Sequence, residues 1–181
     1  MEDFNTLLLN RRSCRKYLEE PLSGDEVQLI LEAALLSPTS KNSHSWEFIA
    51  VEDKEMLLKL ARCKPQNAAF LAHATLAVVV LGNPLESDVW IEDASIASIN
   101  MQLQAEALNI GSCWVQVRER SFSETITSSE YISELFGVPM PLEAVSIIAF
   151  GRRAKLLKPN NPDQLKWEKI HIGKFIHPTK H

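Results

Sequence analysis

The chain has 181 residues, 45% hydrophobic and 23% charged, with a formal net charge of -4. That length and balance predict one soluble domain with a sizeable core. The negative charge argues against general nucleic-acid affinity but leaves room for a local basic pocket. No run reaches the ~18 unbroken apolar residues of a membrane-spanning helix. The acidic start Met1-Glu2-Asp3-Phe4 lacks the layout of a secretory signal, so a cytoplasmic protein is expected.

In chain order, Phe4, Leu7 and Leu8 at helical spacing, with Asp3 as N-cap, predict a helix over 3–10. The clearest helix is expected over 23–36. Ser23 and Glu26 make a capping box, Val27, Ile30, Leu31, Ala34 and Leu35 make one apolar face, and Pro38 stops it. Trp46 to Val51 reads as a strand, Asp53 caps a short helix, and one or two helical turns cover 66–73. Thr75 to Leu81 reads as a strand buried on both faces, broken by Gly82-Asn83-Pro84. The stretch 87–109 is the longest helix. Its apolar and small side chains go round most of the circumference, which predicts a central helix or one buried against a partner chain. Ser112 to Val117 and Val145 to Phe150 read as further strands, with a second capping box, Thr127 and Glu130, opening a helix that stops at Gly137. The tail from 152 onward is basic and broken by prolines, and it carries Leu165, Trp167 and Ile170 as docking anchors for this subunit or another. The strands do not alternate strictly with helices, which predicts an α+β fold with several helices on a sheet of about four or five strands.

The cysteines, Cys14, Cys63 and Cys113, are scattered and show no metal-ligand spacing with the five histidines. They read as free thiols in a reducing compartment. Cys14 among arginines could favour a thiolate, but no helper histidine is near in sequence. Neither GxGxxG nor GxxxxGK[ST] is present, so Rossmann and P-loop phosphate sites are unsupported.

Two clusters carry the chemistry. Arg11-Arg12-Ser13-Cys14-Arg15 puts three guanidinium groups within five residues, beside a hydroxyl. Their planar forked donors match the oxygens of a small multiply charged anion. One helix later, Ser37-Pro38-Thr39-Ser40-Lys41-Asn42-Ser43-His44-Ser45-Trp46 gathers hydroxyls, an amide and backbone N–H groups suited to a polar ring or a polyol. Together they suggest a phosphorylated heterocyclic cofactor. The plainer readings are arginines that complement a helix C-terminus and a polar surface loop. Glu92 and Asp93 likewise read as complements to the start of the long helix, and Lys155 and Lys158 as a solvated basic face.

At these residues the chain resembles the nitroreductase family of FMN-dependent oxidoreductases. The likeness covers nearly its whole length. It runs through both clusters, the helix from 23, the strand after Ala74, Trp90 to Asp93, Ala107-Leu108-Asn109-Ile110-Gly111-Ser112-Cys113-Trp114, and Ile147-Ile148-Ala149-Phe150-Gly151. The resemblance implies a single nitroreductase-like domain over 1–181, with a central, mostly antiparallel sheet, in an intertwined homodimer. Two FMN sites at the interface and a tail (152–181) packing on the subunit or its partner are also implied. By position, Arg11, Arg12, Ser13 and Arg15 would hold the FMN phosphate and ribityl chain. Pro38, Thr39, Ser40 and Asn42, from the other subunit, would contact the ring or ribityl. Trp114 would pass near the flavin, Gly151 and Arg152 would border the phosphate, and Asn67 would reach a flavin edge. No catalytic side chain and no metal are implied, because the flavin carries the chemistry. The implied activity is reduction of nitroaromatics, quinones or related acceptors by NADH or NADPH. The alternatives are a reductive dehalogenase-like reaction and a flavin-binding protein without turnover. The chain departs from the family pattern at His44-Ser45 and Gly151-Arg152-Arg153, and it lacks the inserted helices that cover substrate in larger members.

Overall fold

The computed structural model describes residues 3–177. Expectations on Met1-Glu2 and on 178–181, including His181, lie outside the described residues. Among those described, the order is α1 Phe4–Asn10, α2 Gly24–Leu35, β1 Trp46–Val51, α3 Lys54–Leu60, β2 Leu76–Gly82, α4 Trp90–Ala107, β3 Gly111–Gln116, α5 Ser128–Phe136 and β4 Glu143–Gly151. Short 3-10 turns lie at Ser40–Asn42, Ala69–His73, Pro162–Gln164 and Trp167–Lys169.

The expected caps hold these helices open at the right residues. Asp3, Ser23, Asp53 and Thr127 each accept from the backbone N–H three residues on, at 3.0, 3.3, 2.9 and 3.1 Å. Glu26 and Glu130 return the bond to the N–H groups of Ser23 and Thr127 at 2.8 and 2.7 Å, which completes both capping boxes. Gly137 closes α5 with φ 65°, a left-handed conformation that glycine adopts without a Cβ clash.

The four strands form one antiparallel sheet in the order β1-β2-β4-β3. Central β2 is buried throughout. Leu76, Val78 and Val80 face α2 and α4, whereas Ala77, Val79 and Leu81 face α3, α5 and the 69–73 turn. A strand buried on both faces needs no polar alternation, which explains its unbroken apolar run. The longest helix begins at Trp90 rather than at 87. Ser87 to Val89 form a lead-in, with Val89 N donating to Ser87 Oγ at 3.2 Å. Ala94, Ala97, Met101 and Ala105 of α4 pack on the sheet, while Ile96 and Ile99 on its other side remain more than a third exposed. Among the described residues no helix is long and apolar enough to cross a membrane.

Residues 12–17 run along the free edge of β3. Ser13 pairs in parallel with Ser112, and Cys14 N donates to Ser112 O at 2.8 Å. Gly111 and Gly151 lie opposite each other in the β3–β4 ladder. A Cβ on Gly111 would sit 2.8 Å from Cys14 Sγ, and one on Gly151 would sit 2.9 Å from the Tyr17 ring. Glycine at both positions lets this segment press against the sheet. The tail then returns over the segment. Ala154 N donates to Lys16 O at 3.1 Å, and Asn160 N to Leu9 O at 2.8 Å. Farther on, Leu165, Trp167 and Ile170 are exposed.

Candidate functional site

Because α1 stops at Asn10 and the chain turns onto the edge of β3, the arginine cluster lies in a crease between helix, sheet and tail. Arg11, Arg12, Ser13 and Arg15 line an open cleft of about 440 Å³ together with Leu157, Lys158 and Asn160. Arg12 Nη1 donates to Lys158 O at 2.7 Å, and Arg15 lies over the Phe70 ring, 5.9 Å from its centroid. Among the described residues, no carboxylate pairs with Arg11, Arg12 or Arg15. Three uncompensated guanidiniums and an ammonium around one crease repel each other unless an anion joins them. Arginine forks, a serine hydroxyl and an asparagine amide make a donor set suited to a phosphate monoester.

Arg152 and Arg153 are placed otherwise. The Arg152 guanidinium grips Glu26 with Nη1–Oε1 at 2.7 Å and Nη2–Oε2 at 2.8 Å, and its Nε lies 3.3 Å from Glu20 Oε1. Arg153 Nη2 contacts Glu106 Oε2 at 2.5 Å and Ile110 O at 3.2 Å. Neither side chain lines the arginine cleft. Gly151 is buried beneath Tyr17.

The second cluster forms a tight loop at the other end of α4. Its root is pinned by Ser37, whose Oγ donates to Ala33 O at 2.9 Å and accepts from Asn100 Nδ2 at 2.8 Å. Thr39 Oγ1 accepts from His44 N at 3.1 Å. Lys41, Asn42 and His44 have φ of 52°, 56° and 50°. Each left-handed residue with a side chain costs on the order of 1 kcal/mol, and such strain collects where a loop is shaped for a ligand. Pro38, Lys41, Asn42 and His44 are exposed, with Thr39 and Ser40 half-buried. Ser45 Oγ and Trp46 Nε1, at the loop's exit, are buried without a partner among the described residues.

The two clusters do not meet within one chain. The loop is tied to Asp93 at the start of α4. The arginine segment touches Gly111, just past the helix's other end. At 1.5 Å per residue, the 18 residues of α4 separate them by roughly 27 Å. Asn67 is exposed with φ 62°, three residues before the Phe70 that underlies Arg15. Trp114 is half-buried against the α2–α4 core and donates to Gln116 Oε1 at 3.0 Å.

All three cysteines are buried and free. Burial pushes the Cys63 thiol up to about 11, and raises Cys113 despite the nearby charges of Arg15 and Arg11. Among the described residues no cluster of His, Cys, Asp and Glu is placed to hold a metal. Three residues gained importance only in three dimensions. Lys158 and Asn160 line the arginine cleft, and Asp93 reaches back to the second loop. The first two follow from the path of the tail, which no local spacing encodes. The third had a faint signal, an acidic residue in a first helical turn without a capping role.

Residues 8–68 and 58–152 match the profile described as the Nitroreductase family. The chain is 34% identical to a protein of Archaeoglobus fulgidus named "Putative NADH dehydrogenase/NAD(P)H nitroreductase". That likeness covers 83% of this chain and 86% of the relative. It is 26% identical to an "FMN reductase (NADPH)" of Bacillus subtilis, over 72% of this chain and 62% of that one. A solved structure, the "FMN-dependent Nitroreductase" of Clostridium difficile, superposes with a TM-score of 0.92 at 42% identity, covering 93% of this chain and 98% of that one.

Proposed function

Because the chain belongs to the nitroreductase family, we propose that it is an FMN-dependent oxidoreductase. It takes reducing equivalents from NADH or NADPH and passes them, in ping-pong order, to a nitroaromatic, a quinone or a similar small acceptor. The observation that carries this reading is the cleft at Arg11, Arg12 and Arg15, beside Ser13, whose guanidiniums pair with no carboxylate among the described residues. Its donor set fits a flavin mononucleotide phosphate. FMN, when bound, supplies the hydride chemistry.

The protein's part is placement. Arg11, Arg12, Ser13 and Arg15 hold the phosphate end, and Asn67 reaches the same neighbourhood. Pro38, Thr39, Ser40 and Asn42 embrace the ring or ribityl from a second copy of the chain. The length of α4 supports a homodimer, since one chain keeps its two clusters at opposite ends of that helix. The exposed Ile96 and Ile99 on its outer side give such a dimer an apolar seam. Trp114 walls the β3 side of the site. Gly151 lets the arginine segment seat by admitting Tyr17, and Arg152 locks the end of β4 to α2 through Glu26, outside the cleft. The free buried thiols fit a reducing compartment, which supports a cytoplasmic location.

Purified protein loaded with FMN is expected to be yellow and to be bleached by NADH or NADPH without air. Failure to take up FMN contradicts the reading. A yellow protein that neither nucleotide bleaches turns it toward flavin binding without turnover.

A further inference from the structure

The loop offered above to the flavin is held by a residue from a distant part of the chain. Asp93, 2% exposed, projects from the first turns of α4. Its Oδ1 accepts from Ser40 N at 3.0 Å, while Oδ2 lies 3.5 Å from Ser43 Oγ and 3.4 Å from Ser87 Oγ. From this geometry we propose that Asp93 is a positioning residue that sets the 39–44 loop in its flavin-receiving shape. The proposal rests on the flavin reading and adds to it the device that preorganises half of the site.

The loop needs such a device. Lys41, Asn42 and His44 occupy the left-handed region within four residues. Backbone in that region persists only where its surroundings over-determine it. The internal bond from His44 N to Thr39 Oγ1 closes the loop on itself, and Ser37 anchors its root. Asp93 is what fastens its middle to the rigid helix. A carboxylate suits the position for two reasons. It accepts without donating, and all three facing groups can donate to it. It also stands near the positive end of α4, where negative charge is favoured. Removing it leaves the Ser40 N–H without its partner and frees the loop. Any ligand the loop touches must then bear the cost of ordering it. Phosphate held at the arginine cleft bears no such cost.

The test uses intact protein and two probes, FMN and riboflavin, titrated by flavin fluorescence. In Asp93→Ala, both are expected to weaken by about tenfold with their affinity ratio unchanged, and the visible bands of bound FMN should move toward those of free FMN. Asp93→Asn keeps an acceptor for Ser40 N and is expected to stay within about threefold of wild type. If Asp93→Ala does not fold, Ser40→Pro removes the backbone donor, and Ser40→Ala accounts for the hydroxyl lost with it. Proline is tolerated in the first position of a helical turn, and Thr39 before it is already extended, at φ -130° and ψ 154°. Ser40→Pro should then weaken both flavins, whereas Ser40→Ala, which keeps the N–H, should weaken them less. Wild-type affinity for both flavins in Asp93→Ala, or in Ser40→Pro where it stands in, overturns the proposal. So does a loss confined to FMN, or damage in Asp93→Asn equal to that in Asp93→Ala. Wild-type protein that binds neither flavin overturns the flavin reading itself, and this proposal with it.

Discussion

Arg152 and Glu26 form a forked ion pair that joins the end of β4 to the first turn of α2, 126 residues away in sequence. Arg152 beside it, helped by the Ser23 N–H, holds the Glu26 carboxyl below its ordinary value of 4.5. A carboxylate depressed in the folded state adds stability above that ordinary value, and the gain disappears as pH falls through the depressed one. Arg152→Ala is therefore expected to cost about 1 kcal/mol at pH 7. Urea unfolding should show the gap between variant and wild type narrowing from about pH 4.5 downward. The same variant separates two roles for Arg152. Lost stability with unchanged preference for FMN over riboflavin marks a structural lock, and a lost preference marks a phosphate ligand.

Gly151→Ala should test the seating of the arginine segment. Its new methyl would meet the Tyr17 ring at 2.9 Å, and Tyr17 is fixed in turn by its hydroxyl donating to Cys14 O at 2.6 Å. Overpacking of this kind costs about 1–3 kcal/mol. A lower midpoint of thermal unfolding, with a change in the tyrosine near-ultraviolet signal, is the expected outcome. An unchanged midpoint would mean that the segment lifts off β3 without penalty.

How much of this was legible beforehand depends on sequence distance. The caps at Asp3, Ser23, Asp53 and Thr127 involve groups three residues apart, and each was readable. The doubly buried β2 was readable from its unbroken run of aliphatic residues. Contacts closed by the fold were not. Arg152 sits next to Gly151 and opens a basic tail, and the family resemblance implied a place beside the phosphate; in the fold its guanidinium pairs with Glu26 from the far end of the chain, a contact that no local spacing shows. The bond from Ser40 N to Asp93 spans 53 residues. The arginine cluster itself was visible because its members are adjacent in sequence. That no carboxylate among the described residues neutralises them could only be seen once the sheet and tail were in place.

The cysteines give a prediction independent of any cofactor. Cys14, Cys63 and Cys113 are 3%, 0% and 1% exposed, and burial raises Cys63 to about 11. At pH 8 the native protein should react with a thiol reagent only as fast as it opens locally, and all three thiols should titrate at once in denaturant. A fast-reacting native thiol would reveal an access route into the core, to the β3 edge for Cys14 or Cys113 and behind α3 for Cys63.

The apolar outer side of α4 predicts an assembly. Ile96 and Ile99, 37% and 36% exposed, should be covered in a dimer. Ile99→Glu buries an unpaired charge there, at a cost of several kcal/mol. In sedimentation it should shift the protein toward monomer and release its flavin. A monomeric wild type that still binds FMN would contradict the two-chain site.

The central claim is that the arginine cleft grips a phosphate. It is tested most directly by the ratio of FMN to riboflavin affinity, because the two ligands differ only in that group. Arg11→Ala should cut the wild-type preference for FMN by about 10- to 100-fold, the effect of losing one charge-assisted bond worth ~1.5–3 kcal/mol, while riboflavin binds as before. An identical ratio in the variant and in wild type would contradict the account.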